Sequence, residues 1–330
     1  MAKILVIGFG SIGKRHVENL LNNTKHEIII LTKRQNLNLL KKKRIKIYDT
    51  LEACLSQQPK IGFITNETAY HIPIAIKLAK AGLDLFIEKP LSDSMNGIIT
   101  LQSIVKQKKL IVLMGCQLRF HPCIKKINQL LKQQKIGKII SIQVENGSYL
   151  PDWHPYEDYR ISYAGKKNLG GGVVLTMIHD IDYLYWIFGI PRSIFSITGK
   201  FSNLEISSED YSCSLLQFKK NIIAELHLDF FQGPNYRRFK IKGINGIILW
   251  DSDNNEVKCY NNKKMKWENY MKLKFFDINK TYVDEVRHFF KCIKNREKTI
   301  NDLHDGIETM KIALDIKKSA KLEKRIRMKQ

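Results

Sequence analysis

Residues 3–16 read Lys3-Ile-Leu-Val-Ile-Gly8-Phe-Gly10-Ser-Ile-Gly13-Lys-Arg-His16. The apolar run from Ile4 to Ile7 is typical of a short parallel strand that is buried on both faces. The three glycines fit the pattern G-x-G-x-x-G, and a helical pattern follows from Ile12 to Leu21. At such a turn the second glycine lets a pyrophosphate approach the backbone, and the helix N-terminus directs N–H groups toward it. The stretch therefore predicts a dinucleotide site at the start of a doubly wound α/β domain.

The pattern of predicted elements divides the chain into two parts. Up to about residue 118, apolar strand-like runs alternate with helical stretches, which is typical of a parallel sheet covered by helices. Beyond that point, consecutive strand-like runs joined by short polar turns indicate an antiparallel sheet, with one helix expected over 173–188. We expect a dinucleotide-binding Rossmann domain over 1–118. A C-terminal α+β domain with a largely antiparallel open sheet is expected over 119–330, for substrate binding and oligomerisation.

Composition limits the class of protein. A length of 330 residues with 44% hydrophobic content is sufficient for two cores. No apolar run approaches the roughly 18 residues that a membrane helix needs, and the N-terminus begins directly with the strand, so we expect a soluble, cytoplasmic protein without a membrane partner. The six cysteines show no C-x-x-C spacing, which predicts neither a metal site nor a disulfide framework.

The formal net charge is +23, from 55 Lys and Arg against 32 Asp and Glu. Lysines are spread along the whole chain among many Ile and Asn residues, which favours solvated faces over a single basic stripe for nucleic acid. We therefore expect no nucleic-acid partner. The same charge excess would attract an anionic substrate such as a nucleotide-linked or acidic sugar.

The end of the second predicted strand bears on the choice of cofactor. An acidic residue at this position selects NAD by bonding the ribose hydroxyls, but the chain has Thr32, Lys33 and Arg34 there. The two bases suit a 2′-phosphate, which favours NADP over NAD, although NAD remains possible. The alternative is that both bases are ordinary surface residues.

Two stretches carry side chains suited to catalysis. Lys89 follows a buried strand, where a desolvated ammonium can hold a substrate hydroxyl and stabilise negative charge on its oxygen; the alternative is a lysine that begins a loop. His179 follows three glycines in an apolar helical stretch and is spaced to share a face with Thr176 and Asp182. A histidine beside a carboxylate suits a general base, and the alternative is a core residue.

A loop over 149–160 is rich in aromatic residues, with Tyr, Trp and His side chains close together. Aromatic faces with hydrogen-bonding tips suit contact with a sugar ring. The alternative is a structural loop stabilised by its own aromatics. His154, Tyr159 and Tyr163 are the candidates for substrate contact from this region.

Together these motifs resemble the Gfo/Idh/MocA oxidoreductases, the family of glucose-fructose oxidoreductase and inositol dehydrogenase, over nearly the whole chain. The resemblance rests on the following motifs: Gly8-x-Gly10-x-x-Gly13-x-x-His16, Thr65-Asn66-Glu67-Thr68-x-x-His71, Glu88-Lys89-Pro90, Arg119-Phe120-His121-Pro122 and the triple glycine before His179. It implies a nicotinamide-dependent oxidoreductase acting on CH–OH groups, dimeric or tetrameric through the open face of its C-terminal sheet.

The resemblance also implies roles for individual residues. Lys89 and His179 match the lysine and histidine at the reacting carbon, with Pro90 in a cis bond. The expected cofactor contacts are Gly8, Gly10, Ser11, Ile12, Gly13, Thr32, Lys33, Arg34, Thr65, Asn66, His71, Glu88, Lys89 and Pro90. The expected substrate contacts are Arg119, His154, Tyr159, Tyr163, Thr176 and Asp180.

The loop at Asp152-Trp153-His154 is similar to members found with surface-sugar biosynthesis, including nonulosonic acid pathways. In one respect the chain departs from the family, because Thr176 stands where an aspartate is common. Asp180 or Asp182 would then have to supply the charge beside His179. The departure keeps open the alternative of a non-catalytic dinucleotide sensor.

Overall fold

The structure is a computed structural model that describes residues 2–33, 45–155 and 157–328. Its contacts divide the chain into two compact units. The first comprises Met1–Gln117 and Asn279–Ile307, and the second comprises Leu118–Ile278 and Glu308–Gln330.

The strands in chain order are β1 (Lys3–Ile7), β2 (Glu27–Leu31), β3 (Ile45–Tyr48), β4 (Ile61–Ile64), β5 (Asp84–Glu88), β6 (Val112–Gly115), β7 (Ile139–Gly147), β8 (Ser193–Gly199), β9 (Tyr211–Gln217), β10 (Ile223–Asp229), β11 (Tyr236–Gly243), β12 (Gly246–Asp251), β13 (Glu256–Asn261), β14 (Lys266–Lys272) and β15 (Ile326–Arg327).

The α-helices are α1 (Ser11–Asn23), α2 (Leu51–Ser56), α3 (His71–Lys80), α4 (Ile98–Lys108), α5 (Pro122–Lys132), α6 (Val173–Thr176), α7 (His179–Phe188), α8 (Asn279–Asn295) and α9 (Leu303–Leu322). Among them, no helix in the described ranges combines the length and apolar character that crossing a membrane requires.

The first unit contains a six-stranded, fully parallel sheet in the order β3-β2-β1-β4-β5-β6. Strands β4, β5 and β6 are buried at every position, as expected of parallel strands with both faces covered. The order reverses between β1 and β4, and α/β sheets of this kind bind ligands at the carboxyl ends of their strands beside that point. The predicted doubly wound fold is confirmed.

Helix α8 belongs to the first unit although it lies far along the chain. Phe289 makes edge-to-face contacts with Phe63 and Phe86, and Val286 lies in the same core cluster. The division expected at residue 118 was based on chain order, whereas the contacts return 279–307 to the first sheet because this apolar helix face completes its core.

The second unit is built on a nine-stranded sheet in the order β14-β13-β12-β11-β7-β10-β9-β8-β15. Every neighbouring pair is antiparallel except β7 and β10, which confirms the expected largely antiparallel sheet. Alternate side chains on the central strands, such as Ile142 and Leu226, join the helices in one core cluster. Strands β13, β14 and β15 were not anticipated from the sequence.

The single helix expected over 173–188 was wrong. The stretch forms α6 and α7, separated at Met177, whose backbone has φ −93° and ψ 28°. The break has a local cause, because Asp180 and Asp182 lie in the first turn of α7, where negative side chains favour a helix N-terminus. Thr176 therefore ends one helix and His179 begins the next.

Candidate active site

The glycine turn between β1 and α1 has the close packing expected of a dinucleotide cradle. Gly8 has φ +90°, a conformation that favours glycine, and a Cβ there would come within 2.8 Å of Asn66 Cα. A Cβ on Gly13 would collide with the Gly8 carbonyl oxygen and lie 2.8 Å from Thr65 Oγ1. Gly10 differs, because a Cβ built there has no atom within 4 Å. The open side of the turn is therefore at Gly10.

The same turn fits a pyrophosphate electrostatically. Helix α1 starts after Gly10 with no side-chain cap and no acidic residue in its first turn, where Ser11 and Ile12 lie. Its first N–H groups and the positive end of its dipole therefore suit an anion. At the adjacent strand end, the buried Asn66 side-chain oxygen has no hydrogen-bond partner among the described residues, and a cofactor hydroxyl or amide could donate to it. These residues fit a dinucleotide.

Thr65 and His71 brace this region from within the protein. The Thr65 hydroxyl lies 2.9 Å from the carbonyl oxygens of both Ile7 and Gly8. The His71 ring has Nδ1 2.8 Å from the Pro90 oxygen and Nε2 2.9 Å from the Asn66 oxygen. Burial lowers the pKa of His71, with the two carbonyls opposing that shift. Both ring nitrogens are therefore committed to the backbone.

At the end of β2, the Thr32 N–H donates to the Tyr48 carbonyl at 3.1 Å, which ties this strand end to β3. Lys33 is exposed, so its ammonium is available to an anionic group. Arg34 lies outside the described residues.

Lys89 follows β5 and is half-buried between two buried neighbours, Glu88 and Pro90. The Lys89–Pro90 peptide bond is cis, as the family resemblance implies. The lysine thus originates at the carboxyl end of a buried central strand of the first unit.

In the second unit, His179 is the first residue of α7 and is almost fully buried. The preceding glycines are closely packed, since a Cβ on Gly171 would strike the carbonyl oxygens of Tyr163 and Ala164. Gly172 adopts φ +109°, which a glycine accommodates without strain. Thr176, one short helix earlier, is also buried.

Asp180 is fully buried and bonded on both carboxylate oxygens. Oδ2 accepts from Asn146 Nδ2 at 2.7 Å and from Arg237 Nη2 at 3.2 Å. Oδ1 accepts from the Tyr183 hydroxyl at 2.8 Å and lies 3.2 Å from Arg237 Nε. Burial, with the Asp180 charge beside it, raises the pKa of Tyr183 well above its usual value. Asp180 therefore ties α7 to β7 and β11.

Asp182 and Arg119 form a second buried pair. Arg119 donates from Nε and Nη2 to the two oxygens of Asp182 at 2.9 and 2.8 Å, and both side chains are 1% exposed. The Arg119 guanidinium also lies 5.7 Å from the Trp186 ring centroid. Asp180 is therefore paired with Arg237, and Asp182 is paired with Arg119. These bonds do not support the expectation that either carboxylate supplies the charge beside His179 in place of the aspartate that the family commonly has at position 176.

The aromatic loop is tied down by its own contacts. Trp153 Nε1 donates to Ser148 Oγ at 2.5 Å, and its ring packs edge-to-face on Phe230. Tyr159 and Tyr163 are half-buried against the core cluster. His154 is half-buried, and Tyr156 lies outside the described residues. These contacts match the structural interpretation of the loop and leave partly exposed faces for a ligand.

Arg237 was missed from the sequence. It precedes Phe239 and Ile241 by two and four residues on β11, so period-two alternation places it on the covered face of the sheet. Its guanidinium is held along one edge by Asp180 while its side chain stays 23% exposed. Extending the alternation of buried positions two residues back from Phe239 would have predicted that Arg237 lies on this face.

Comparison with known proteins decides the family. The model of the oxidoreductase family, C-terminal alpha/beta domain of Gfo/Idh/MocA matches residues 128–328, and the NAD-binding Rossmann-fold model of that family matches residues 2–116. The chain belongs to the Gfo/Idh/MocA oxidoreductase family. The predicted class of NAD(P)-dependent oxidoreductase is thereby confirmed.

Individual relatives span the full length of the family fold. Myo-inositol 2-dehydrogenase of Thermotoga maritima is 24% identical over 99% of both chains. Levoglucosan dehydrogenase in complex with NADH superimposes with a TM-score of 0.87 at 17% identity, covering 100% of this chain and 99% of the other. UDP-N-acetylglucosamine 3-dehydrogenase of Acidithiobacillus ferrooxidans gives a TM-score of 0.79 at 19% identity, covering 97% and 98%. The structural likenesses show a shared fold.

Proposed function

We propose that the protein transfers a hydride between NADP(H) or NAD(H) and a hydroxyl-bearing carbon of a sugar or nucleotide-linked sugar. The observation that carries the proposal is the glycine turn, open only at Gly10, in a chain of this oxidoreductase family. The relatives named above are dehydrogenases of a cyclitol, an anhydrosugar and a nucleotide-linked sugar, which supports this substrate class. Similarity of the loop at residues 152–154 favours a role in surface polysaccharide or nonulosonic acid biosynthesis.

Lys89 and His179 carry the proton chemistry in this proposal. Bound oxidised nicotinamide supplies the hydride acceptor. In the oxidation direction His179 accepts the proton of the substrate hydroxyl, while the Lys89 ammonium orients that oxygen and stabilises its developing negative charge. In the reduction direction both side chains donate. The backbone of His179 lies in the first turn of a helix, and the backbone of Lys89 directly follows a strand. Catalytic side chains need a backbone that is fixed in this way.

NADP is the proposed cofactor because Lys33 is exposed at the strand end where the 2′-phosphate would lie and no acidic side chain stands there. Among the proposed substrate contacts, His154, Tyr159 and Tyr163 retain partly exposed surface. Arg119, Thr176 and Asp180 are buried, so in this proposal they contribute to the substrate site from the protein interior. We add Arg237 to the proposed substrate contacts, because Asp180 holds one edge of its guanidinium while the side chain stays partly exposed.

We also propose that the protein forms a homodimer or homotetramer through the open face of its second sheet. Phe195 and Leu215 are register partners on β8 and β9 and are 41% and 46% exposed. Ile197 and Ile223 extend the same apolar face across three strands. Glu225 lies on this face as the register partner of Leu215, so the surface is mixed, and a group of exposed apolar side chains on one face favours an interaction site.

A spectrophotometric screen tests the activity. Myo-inositol, levoglucosan and UDP-N-acetylglucosamine are each offered with NADP⁺ and with NAD⁺, and the absorbance of reduced cofactor is followed. The proposal expects sugar-dependent reduction, faster with NADP⁺. Tight binding of NADPH without turnover of any sugar, together with steeply salt-dependent binding to DNA, would instead identify a sensor.

Replacing Lys89 with Ala tests its assignment. Turnover should fall by about 100-fold or more, because the ammonium acts on charge that develops in the transition state. The dissociation constant of NADPH, measured by fluorescence titration, should stay within about threefold of the wild-type value, since ground-state binding is not removed. Lys33→Ala is the matched control, because it should weaken NADPH binding and leave saturated turnover unchanged. Wild-type turnover in the Lys89→Ala variant would reject the assignment.

A further inference from the structure

Two buried histidines hold the residues on either side of Lys89 in the chain. His16, from α1, places Nε2 2.6 Å from Oε1 of Glu88, and His16 is 0% exposed. His71, at the start of α3, lies 2.8 Å from the carbonyl oxygen of Pro90. The glycine motif predicted that α1 contacts a cofactor, but it assigned no task to His16.

The Glu88 carboxylate is buried within the first unit. Its second oxygen, Oε2, accepts the backbone N–H of Lys89 at 3.1 Å. On the neighbouring strand β6, Gly115 has no side chain and so leaves room for the Glu88 carboxyl group, because a Cβ there would come within 3.0 Å of it. The carboxylate therefore contacts His16 of α1 and the Lys89 backbone amide, and it packs against Gly115 of β6.

Aromatic side chains surround the His16 ring. It packs edge-to-face on Phe86 at 4.8 Å and lies 5.7 Å from the Phe63 centroid, with Tyr282 on a further side at 6.0 Å. Among the described residues its Nδ1 is buried with no hydrogen-bond partner, whereas Nε2 lies against Glu88, so a proton on Nε2 is the one that a donor bond to the carboxylate needs. An aromatic cage thus presents a single N–H to the carboxylate.

His71 holds the other side of the turn. Its second nitrogen faces the Asn66 carbonyl at the end of β4, so the ring spans two neighbouring strand ends. A neutral ring donates to one of these carbonyls at a time, and an imidazolium donates to both. Either form links the backbone at Pro90 to the strand end beside the glycine turn.

We propose that His16 and His71 are positioning residues for Lys89, acting through the Glu88 carboxylate and the Pro90 carbonyl; this rests on the proposed catalytic role of Lys89. A lysine has a long flexible stem, so its ammonium can be placed reproducibly only if the backbone from which it extends is fixed. The structure fixes that backbone on both sides. It also joins the lysine to α1, whose N-terminus is the proposed pyrophosphate site.

The first test needs no sugar. Amide hydrogen exchange of a peptide covering 84–92 is measured with NADPH bound for wild type, His16→Leu and His16→Gln. Leu removes the donor, and exchange in this peptide should rise about tenfold because the Lys89 amide loses its fixed acceptor. Gln retains an N–H donor at a similar reach and should restore slow exchange. Unchanged exchange in His16→Leu, or equal acceleration in both variants, would overturn the proposal.

The second test is a double-mutant cycle with Lys89→Ala, using whichever of the three sugars above turns over fastest. His16→Leu should lower kcat by about tenfold to 100-fold while the NADPH dissociation constant changes little, because misplacement acts on the reacting geometry. In the Lys89→Ala background the same substitution should cost nothing further. An equal loss in both backgrounds would refute positioning through Lys89. Wild-type turnover of Lys89→Ala would instead refute the catalytic role of Lys89, and turnover of no sugar by the wild type would refute the proposed function, with the exchange result standing on its own in either case.

Discussion

Arg119 shows how a residue-level prediction from sequence can find an important side chain and leave its task undetermined. The motif Arg119-Phe120-His121-Pro122 predicted that Arg119 contacts the substrate. In the structure its Nε and Nη2 donate hydrogen bonds to Asp182 inside the second unit. Sequence spacing identifies charged residues near a motif, but it carries no information on which of them face each other after folding. Asp180, Arg237 and His16 illustrate the same limit, since each partner is distant in the chain.

The Arg119–Asp182 pair predicts a large stability effect. Arg119→Leu leaves a buried carboxylate without its cation, and the free energy of unfolding should fall by about 3–5 kcal/mol. Urea denaturation followed by circular dichroism measures the change. The control is Arg160→Leu, which removes exposed ion pairs to Asp158 and Glu205 and should cost less than about 1 kcal/mol. Equal losses in the two variants would show that burial does not set the strength of these pairs.

His121 predicts a pH dependence of stability. Burial, with the Arg237 charge nearby, lowers the pKa of His121 to about 4, and its Nδ1 accepts the Cys123 N–H as the N-cap of α5. Below pH 6.5 the unfolded chain binds a proton at this site that the folded protein does not bind. Stability should therefore fall as the pH drops from about 6.5 to 4, by about 3 kcal/mol from this group.

Urea denaturation at a series of pH values measures that slope. His121→Asn keeps an N-cap acceptor and removes the titrating ring, so the slope in this window should become shallower. A slope identical to that of the wild type would assign the effect to other groups.

Elements with strong periodicity could be predicted from the sequence. Apart from β3, which contains Lys46, the strands of the first sheet are built on short continuous apolar runs, and each strand lies within a few residues of the position expected. Strand β14 was missed because the run Lys266–Lys272 is mostly polar and partly exposed, which leaves no apolar signal. The break between α6 and α7 was missed because the apolar pattern continues through Met177 and Ile178, while the signal for a new helix is the acidic pair after His179.

The glycine turn gives a matched pair of variants at this scale. Gly10→Ala meets no atom of the protein within 4 Å, so the fold should be retained. The added methyl group would occupy the proposed pyrophosphate position, and NADPH affinity should fall by about tenfold or more. Gly13→Ala collides with the Gly8 backbone and should instead destabilise the unit by about 1–3 kcal/mol. Full NADPH affinity in a folded Gly10→Ala protein would contradict the location of the site.

For the whole molecule, the sequence predicted two architectures and a return of the helical stretches over 283–293 and 303–328 toward the first domain. The first of these stretches lies in the first unit, whereas most of the second lies in the second unit. Helix α8 returns to the first unit over 160 residues after the chain has left it, because Val286 and Phe289 complete the core around Phe63 and Phe86. Local patterns predict an amphipathic helix there, but which of two apolar surfaces it covers depends on long-range packing.

The apolar face of the second sheet predicts the assembly. Leu215→Lys places a charge in the middle of the face and should shift the oligomer toward the monomer, as multi-angle light scattering would show. Ile99→Lys is the control, since Ile99 is 81% exposed on α4 and should leave the mass unchanged. A wild-type protein that is monomeric at micromolar concentration would contradict the proposed assembly.

Direct detection of hydride transfer tests the proposed oxidoreductase activity. The protein is incubated with NADPH carrying deuterium at the transferable C4 position and the keto forms of myo-inositol, levoglucosan and UDP-N-acetylglucosamine, and the products are analysed by mass spectrometry. We expect a sugar product that carries the extra mass of one deuterium and forms far more slowly with Lys89→Ala. NADPH that binds tightly while no sugar gains deuterium would contradict it.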